Sequence, residues 1–191
     1  MERTPESGAL DRSIRLRSPT ADVTVAIGRV IGSGLRAGDL VVLDGGLGAG
    51  KTTMTRGIAT GMGVSGPVSS PTFVIARTHE PGLDGGGGGG DGAGVGLIHV
   101  DAYRLGSSAD LDDLDLESEM ETGAMVAEWG VGRVEQFADS MLLVRIEPVD
   151  GEDSEELRTV EIRGTGSRWS GPAWNQLLEA LEQSGSARAE R

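Results

Sequence analysis

The tightest constraint in this sequence is the run Gly45-Gly46-Leu47-Gly48-Ala49-Gly50-Lys51-Thr52, which follows the nearly all-apolar segment Asp39-Leu40-Val41-Val42-Leu43-Asp44. It fits the pattern G-x-x-x-x-G-K-T in full. A short apolar run of this kind reads as a strand buried on both faces. From Lys51 to about residue 61, Met54, Ile58, Ala59 and Met62 recur at the spacing of one helix face. Strand, glycine loop and helix therefore come in the order that a phosphate cradle requires. The glycines let backbone N–H groups turn inward, and the helix amino terminus adds partial positive charge. In such a cradle the lysine bridges the terminal phosphates and the threonine hydroxyl holds Mg²⁺, with Thr53 continuing the binding segment.

Composition sharpens the reading of Lys51. Sixteen of the seventeen basic residues are arginine, and Lys51 is the one lysine in the chain. A compact ammonium on a flexible stem fits as a point charge between phosphates inside a tight loop, where a planar guanidinium does not. There are no cysteines, so disulfides, thiolate metal sites and cysteine nucleophiles are excluded and a catalytic metal must rest on oxygen ligands. With 30 acidic against 17 basic residues the formal charge is −13, which opposes direct binding to a phosphate backbone. The amino terminus has no apolar h-region, and no apolar run approaches the roughly 20 residues that span a bilayer. The expectation is a soluble, cytoplasmic protein with no membrane association.

The expected fold is α/β: a single P-loop NTPase domain over residues 13–182, with a mainly parallel sheet flanked by helices and an antiparallel edge. Residues 1–12 read as a disordered leader and 183–191 as a disordered tail. Residues 13–17 alternate as an edge strand does. A helix capped by Thr20 or Asp22 carries Val23, Ala26, Ile27, Val30 and Ile31 on one face and is ended by Gly32 and Gly34. A loop over 63–71 leads to strands at 72–78 and 95–101, separated by a flexible glycine-rich insert over 80–95. An acidic helix-like stretch over 109–121, a strand at 124–127 and a helix around 132–137 follow. Strands at 140–147 and 158–163 form the antiparallel edge, and an amphipathic helix spans 173–181. Ligands in such folds sit at the carboxyl ends of the strands.

If the loop holds a nucleotide, an acidic group at a strand end should hold or order the metal. Asp101 ends the apolar run 97–100 and is the natural Walker B candidate, with a strand-end cap as its bland alternative. Glu128, at the end of 124–127, is a second candidate on the same grounds. Asn175 is the one asparagine and Lys51 is already committed, so the Asn-Lys-x-Asp element of the common GTPases is excluded. A P-loop kinase phosphorylating a small metabolite is the alternative activity, although the insert has the wrong composition for an arginine-bearing lid. Neither histidine supports a metal site, and a lone histidine is more often structural. The acidic run Asp110, Asp112, Asp113, Asp115, Glu117, Glu119 and Glu121 reads first as a solvated face.

Four blocks in order resemble the TsaE (YjeE) family. They are Gly45 to Thr53 followed by Arg56-Gly57, Ser70-Pro71-Thr72-Phe73, His99-Val100-Asp101-Ala102-Tyr103-Arg104-Leu105, and Glu128-Trp129. Two departures from the family pattern stand out: Gly46 replaces an acidic residue, and the glycine insert replaces a short connection. The resemblance implies ATP in the cradle, with Gly45, Gly46, Leu47, Gly48, Ala49, Gly50, Lys51, Thr52 and Thr53 binding it. It further implies Mg²⁺ near Thr52 and Glu128, and catalytic importance for Asp101 and Glu128. Ser70, Thr72 and Trp129 become switch or partner contacts, although Trp129 also fits a half-buried aromatic covering the sheet edge. By the same resemblance the chain is a weak ATPase working with TsaD and TsaB. Those proteins place threonylcarbamoyl on adenosine 37 of tRNAs reading ANN codons, so this chain meets tRNA only indirectly.

Overall fold

The structure, a computed structural model, describes residues 12–71, 74–82, 94–104, 114–149 and 156–185. Seven strands form one sheet: β1 (Arg12–Ser18), β2 (Leu40–Asp44), β3 (Ala76–His79), β4 (Gly96–Asp101), β5 (Gly123–Glu128), β6 (Met141–Pro148) and β7 (Arg158–Thr165). Their spatial order is β1-β7-β6-β2-β5-β4-β3. The four central strands β6, β2, β5 and β4 run parallel. Antiparallel pairs lie on both sides, β1–β7–β6 on one and β3–β4 on the other. The expected parallel sheet with an antiparallel edge is the fold observed, and a second antiparallel edge is added by β3.

Burial follows from the layering. Strands β4 and β5 are buried at every residue, whereas β6 and β7 alternate. Along β2, Val41 and Leu43 join one core with Ile27, Ile31, Met54 and Ile58, while Leu40 and Val42 join another with Ile98, Met125 and Met120. An alternating side-chain direction with both faces covered explains why the sequence of β2 reads as a continuous apolar run.

Helices α1 (Ala21–Ser33), α2 (Lys51–Met62), α3 (Leu116–Met120) and α4 (Pro172–Gln183) complete the fold. Thr20 caps α1 by accepting from the Val23 N–H at 3.4 Å. Gly32 does not end α1 as expected. It lies inside the helix, where a Cβ would fall within contact distance of the Ile58 carbonyl; Gly28, Gly57 and Gly61 are crowded by facing backbone in the same way. The α1–α2 pair therefore packs backbone to backbone, and its glycines serve closeness of approach.

Three further expectations change. The strand expected over 72–78 pairs only from Ala76, because Ile75 takes φ 68° and breaks the extended path. Thr72 and Phe73 lie outside the described residues. The helix expected around 132–137 is a single 3₁₀ turn, Glu135–Phe137. The Glu135 carboxylate accepts from the N–H of Gly132 at 2.6 Å and of Val134 at 3.1 Å, and such local bonds compete with helix propagation. Of the acidic stretch, only α3 and its flanks are described; Asp110, Asp112 and Asp113 lie outside the described residues, as do residues 83–93 of the insert, 1–11 of the leader and 186–191 of the tail.

Gly32→Ala should lower unfolding free energy by about 1–3 kcal/mol through overpacking, despite a gain in helix propensity of up to about 1 kcal/mol. Urea denaturation of the two proteins measures the difference.

Candidate functional site

The chemistry gathers at the carboxyl ends of the central strands. Strand β2 ends at Asp44 and the glycine loop turns directly into α2, whose N-cap is Gly50 at φ 112°. That backbone is open to glycine and strained for other residues. Gly45, at φ 145°, is required twice over, since a Cβ there would also strike the Ile146 carbonyl. The first N–H groups of α2 have no partner within the helix and face the loop. At Gly46 a Cβ would meet nothing within 4 Å, so the acidic residue of the family pattern would fit and its absence reflects no steric demand.

Lys51 is buried, with 5% of its surface exposed. Its Nζ donates to the carbonyls of Gly45 at 2.7 Å and Gly46 at 2.8 Å. An ammonium has three donors; the loop carbonyls take two, and among the described residues no oxygen accepts from the third. The Trp129 ring lies against it, 3.7 Å from Nζ to the ring centroid. Desolvation pushes the Lys51 pKa below its ordinary value, and the charges of Glu128, Asp101 and Asp44 partly offset this.

Asp101 and Glu128 stand side by side, because parallel pairing of β4 with β5 sets them in register. Glu128 accepts from the Thr52 hydroxyl at 3.0 Å through Oε2. Its Oε1 is 3.5 Å from the Thr55 hydroxyl and 2.9 Å from His99 Nε2. Asp101 accepts from the Ser70 hydroxyl at 3.1 Å and from the Tyr103 N–H at 3.1 Å. It is thus a strand-end cap and a cleft carboxylate at once. Trp129 takes φ 60° just beyond β5, and its N–H donates to the Leu43 carbonyl at 3.1 Å. Its ring also meets that of Tyr103 at 5.2 Å.

A cleft of ≈ 370 Å³ runs between the residues 47–53, Ser70, Asp101, Glu128 and Trp129, with Arg56 on its rim. A smaller hollow of ≈ 140 Å³ shares Gly48, Ala49, Gly50 and Thr53 with it and is walled by Ala21, Thr24 and Arg158. Among the described residues no group of three His, Cys, Asp or Glu side chains could hold a metal ion. The oxygen donors of Thr52 and Glu128 suit a hard cation that keeps waters and substrate phosphates as its remaining ligands.

The structure thus brings together residues 45–53, Ser70, Asp101, Glu128 and Trp129, while Thr72 lies outside the described residues. His99, Thr55 and Tyr103 were missed as members of the site. His99 and Asp101 are two apart on a strand and share a face, which is the signal that would have found His99. Thr55 falls one turn after Thr52 on α2.

A family model described as "Threonylcarbamoyl adenosine biosynthesis protein TsaE" matches residues 18–157. The TsaE protein of Streptomyces coelicolor, named tRNA threonylcarbamoyladenosine biosynthesis protein, is 48% identical over 145 residues, 75% of this chain and 92% of that one. The protein of the same name from Mycobacterium tuberculosis is 44% identical over 142 residues, 71% of this chain and 80% of that one. The crystal structure of YdiB from Bacillus subtilis superposes with a TM-score of 0.66 at 28% identity, covering 92% of this chain and 98% of that one. A P-loop built on these strand ends, together with a family match across most of its length, makes this chain a member of the TsaE family.

Proposed function

We propose that this chain binds ATP with Mg²⁺ and hydrolyses it as a subunit of the machinery that makes threonylcarbamoyladenosine in tRNA, acting with TsaD and TsaB in the cytoplasm. The observation that carries the reading is the meeting of Lys51 and Thr52 with two strand-end carboxylates in one cleft. Family membership supports the pathway. The formal charge of −13 supports leaving tRNA to the partners. Leu47, Val74, Tyr103 and Val131 are exposed hydrophobics that all follow the carboxyl ends of β2, β4 and β5 or precede β3. Apolar surface beside the cleft supports docking of a protein there.

In this reading the third Lys51 N–H and the amino end of α2 take the β- and γ-phosphates. The smaller hollow beyond Gly48, walled by Ala21, Thr24 and Arg158, would take the base and ribose. Thr52 and Glu128 hold Mg²⁺, which when bound neutralises charge developing on the phosphates. Asp101, fixed by Ser70 and the Tyr103 N–H, orients the attacking water. Ser70, with Thr72 two residues later in the sequence, belongs to the segment through which a partner senses the terminal phosphate. Trp129 shields the Lys51 ammonium from solvent.

Turnover of the isolated chain is weak and changes on adding TsaD and TsaB. The deciding experiment is reconstituted tRNA modification under multiple-turnover conditions with and without this chain; equal product yields would remove the assignment. Lys51→Ala should weaken ATP binding by about 100-fold or more. Glu128→Ala should leave metal-free ATP binding within about threefold and lower kcat by about 100-fold; calorimetry and phosphate release separate the two. Because Lys51 is the one lysine, ¹³C-lysine labelling gives a single Cε resonance. Its titration midpoint should fall below 10.5, as burial disfavours the ammonium, and should rise on adding ATP, as bound phosphates favour it.

A further inference from the structure

The proposed cleft chemistry assigns no task to His99, a buried polar side chain in contact with Glu128. His99 sits in the middle of β4 and is wholly buried. Its Nε2 is 2.9 Å from Glu128 Oε1, while its Nδ1 has no hydrogen-bond partner among the described residues. Only Nε2 faces an acceptor, so the ring hydrogen belongs on Nε2; a hydrogen on Nδ1 would be buried with nothing among the described residues to receive it. The sheet explains how the ring reaches. His99 is in register with Val126, and Glu128 lies two residues further along β5 on the same face, a diagonal neighbour within reach of a long side chain.

From this geometry we infer that His99 is a positioning residue for Glu128. This rests on the reading that Glu128 serves the metal and hydrolysis. The Nε2–H ties down Oε1 from the sheet side, with the Thr55 hydroxyl 3.5 Å from the same oxygen. Oε2 is then the oxygen left to face the cleft, 3.0 Å from the Thr52 hydroxyl. A glutamate has several rotatable bonds and loses rotamer freedom when fixed. His99 removes that freedom before any ligand arrives and presents the carboxylate as a donor through one oxygen. The imidazole touches neither nucleotide nor metal in this assignment; it acts through Glu128 alone. A buried histidine holding a carboxylate in this way belongs to the outer partners of a metal site, whose loss costs about 10–100-fold in metal affinity or activity.

Two independent experiments test it. In the first, His99→Leu and His99→Gln are compared with the unaltered chain. His99→Leu should lower kcat by about 10–100-fold and raise the Mg²⁺ concentration giving half-maximal rate. It should leave ATP affinity without metal within about twofold, a split that general loss of structure would not give. His99→Gln places an amide N–H near the Nε2 position and should recover most of the rate. Wild-type kcat and Mg²⁺ dependence in His99→Leu would overturn the inference. In the second, which needs no substitution at His99, the chain is labelled with ¹⁵N-histidine. It contains two histidines, and His79→Gln leaves His99 as the sole signal. An Nε2–H tautomer with slow solvent exchange is expected; an Nδ1–H tautomer would overturn the inference even if His99→Leu failed to fold. Glu128→Ala separates the two levels: normal hydrolysis there would sink the reading of Glu128 and this inference with it, whereas a Glu128 defect with an indifferent His99→Leu sinks this inference alone.

Discussion

A buried ammonium has to be held, and the Lys51 ammonium sets the terms for the rest of the site. Desolvation disfavours its charge. Two loop carbonyls accept from it, three carboxylates act on it through space, and an indole ring covers it. The compensating groups come from several parts of the chain. The carbonyls require the tight glycine turn after β2, Glu128 and Asp101 require β5 and β4, and Trp129 requires a backbone turn just past β5. Lysine geometry and sheet geometry are therefore one problem. The loop binds its own lysine, so the turn that carries Lys51 also sets its posture.

The carboxylates are organised just as firmly. Thr52, Thr55 and His99 converge on Glu128, while Ser70 and the Tyr103 N–H converge on Asp101. Helix α2 thus holds Glu128 and the loop before β3 holds Asp101, while β4 serves both, carrying Asp101 and reaching Glu128 through His99. Two residues in left-handed backbone flank this arrangement, Ile75 and Trp129. Such conformations cost about 1–3 kcal/mol each and persist where surrounding bonds over-determine them. The Ile75 carbonyl accepts from the Asp101 N–H at 2.8 Å, and the Trp129 N–H donates to Leu43 at 3.1 Å. Strain sits directly beside the two acids and is held there by the ends of the sheet.

Away from the cleft, helix α2 is anchored by the bare backbone contact with α1, and α1 by its cap at Thr20. Arg168 closes the far side with a bidentate pair to Asp39, at 3.0 and 3.1 Å, and a bond to the Gly34 carbonyl at 2.9 Å. That cluster ties the entry to β2 to the turn after β7. The glycine loop is thus braced at both ends, by a close helix pair at its exit and by a pinned strand at its entrance.

Residues 45–53 were legible from the chain because a phosphate loop is local: its glycines, lysine, threonine and the strand and helix on either side are contiguous, and their spacing fixes their geometry. Most elements were legible too, since periodicity records which face is buried; the helix at 132–137 and the strand beginning at 72 were not, because a carboxylate bonding nearby N–H groups and a positive φ at Ile75 override propensity without altering the apolar pattern. Gly32 looked like a stop signal, and only the packing of a second helix gave it another meaning. The sequence by itself determined the phosphate loop, the buried central strands and the candidacy of Asp101 and Glu128. Tertiary structure alone decided that these two acids are neighbours, that Trp129 lies over Lys51 and that His99 grips Glu128. Strand register across the sheet makes those contacts, and register joins residues that no local pattern in the chain connects.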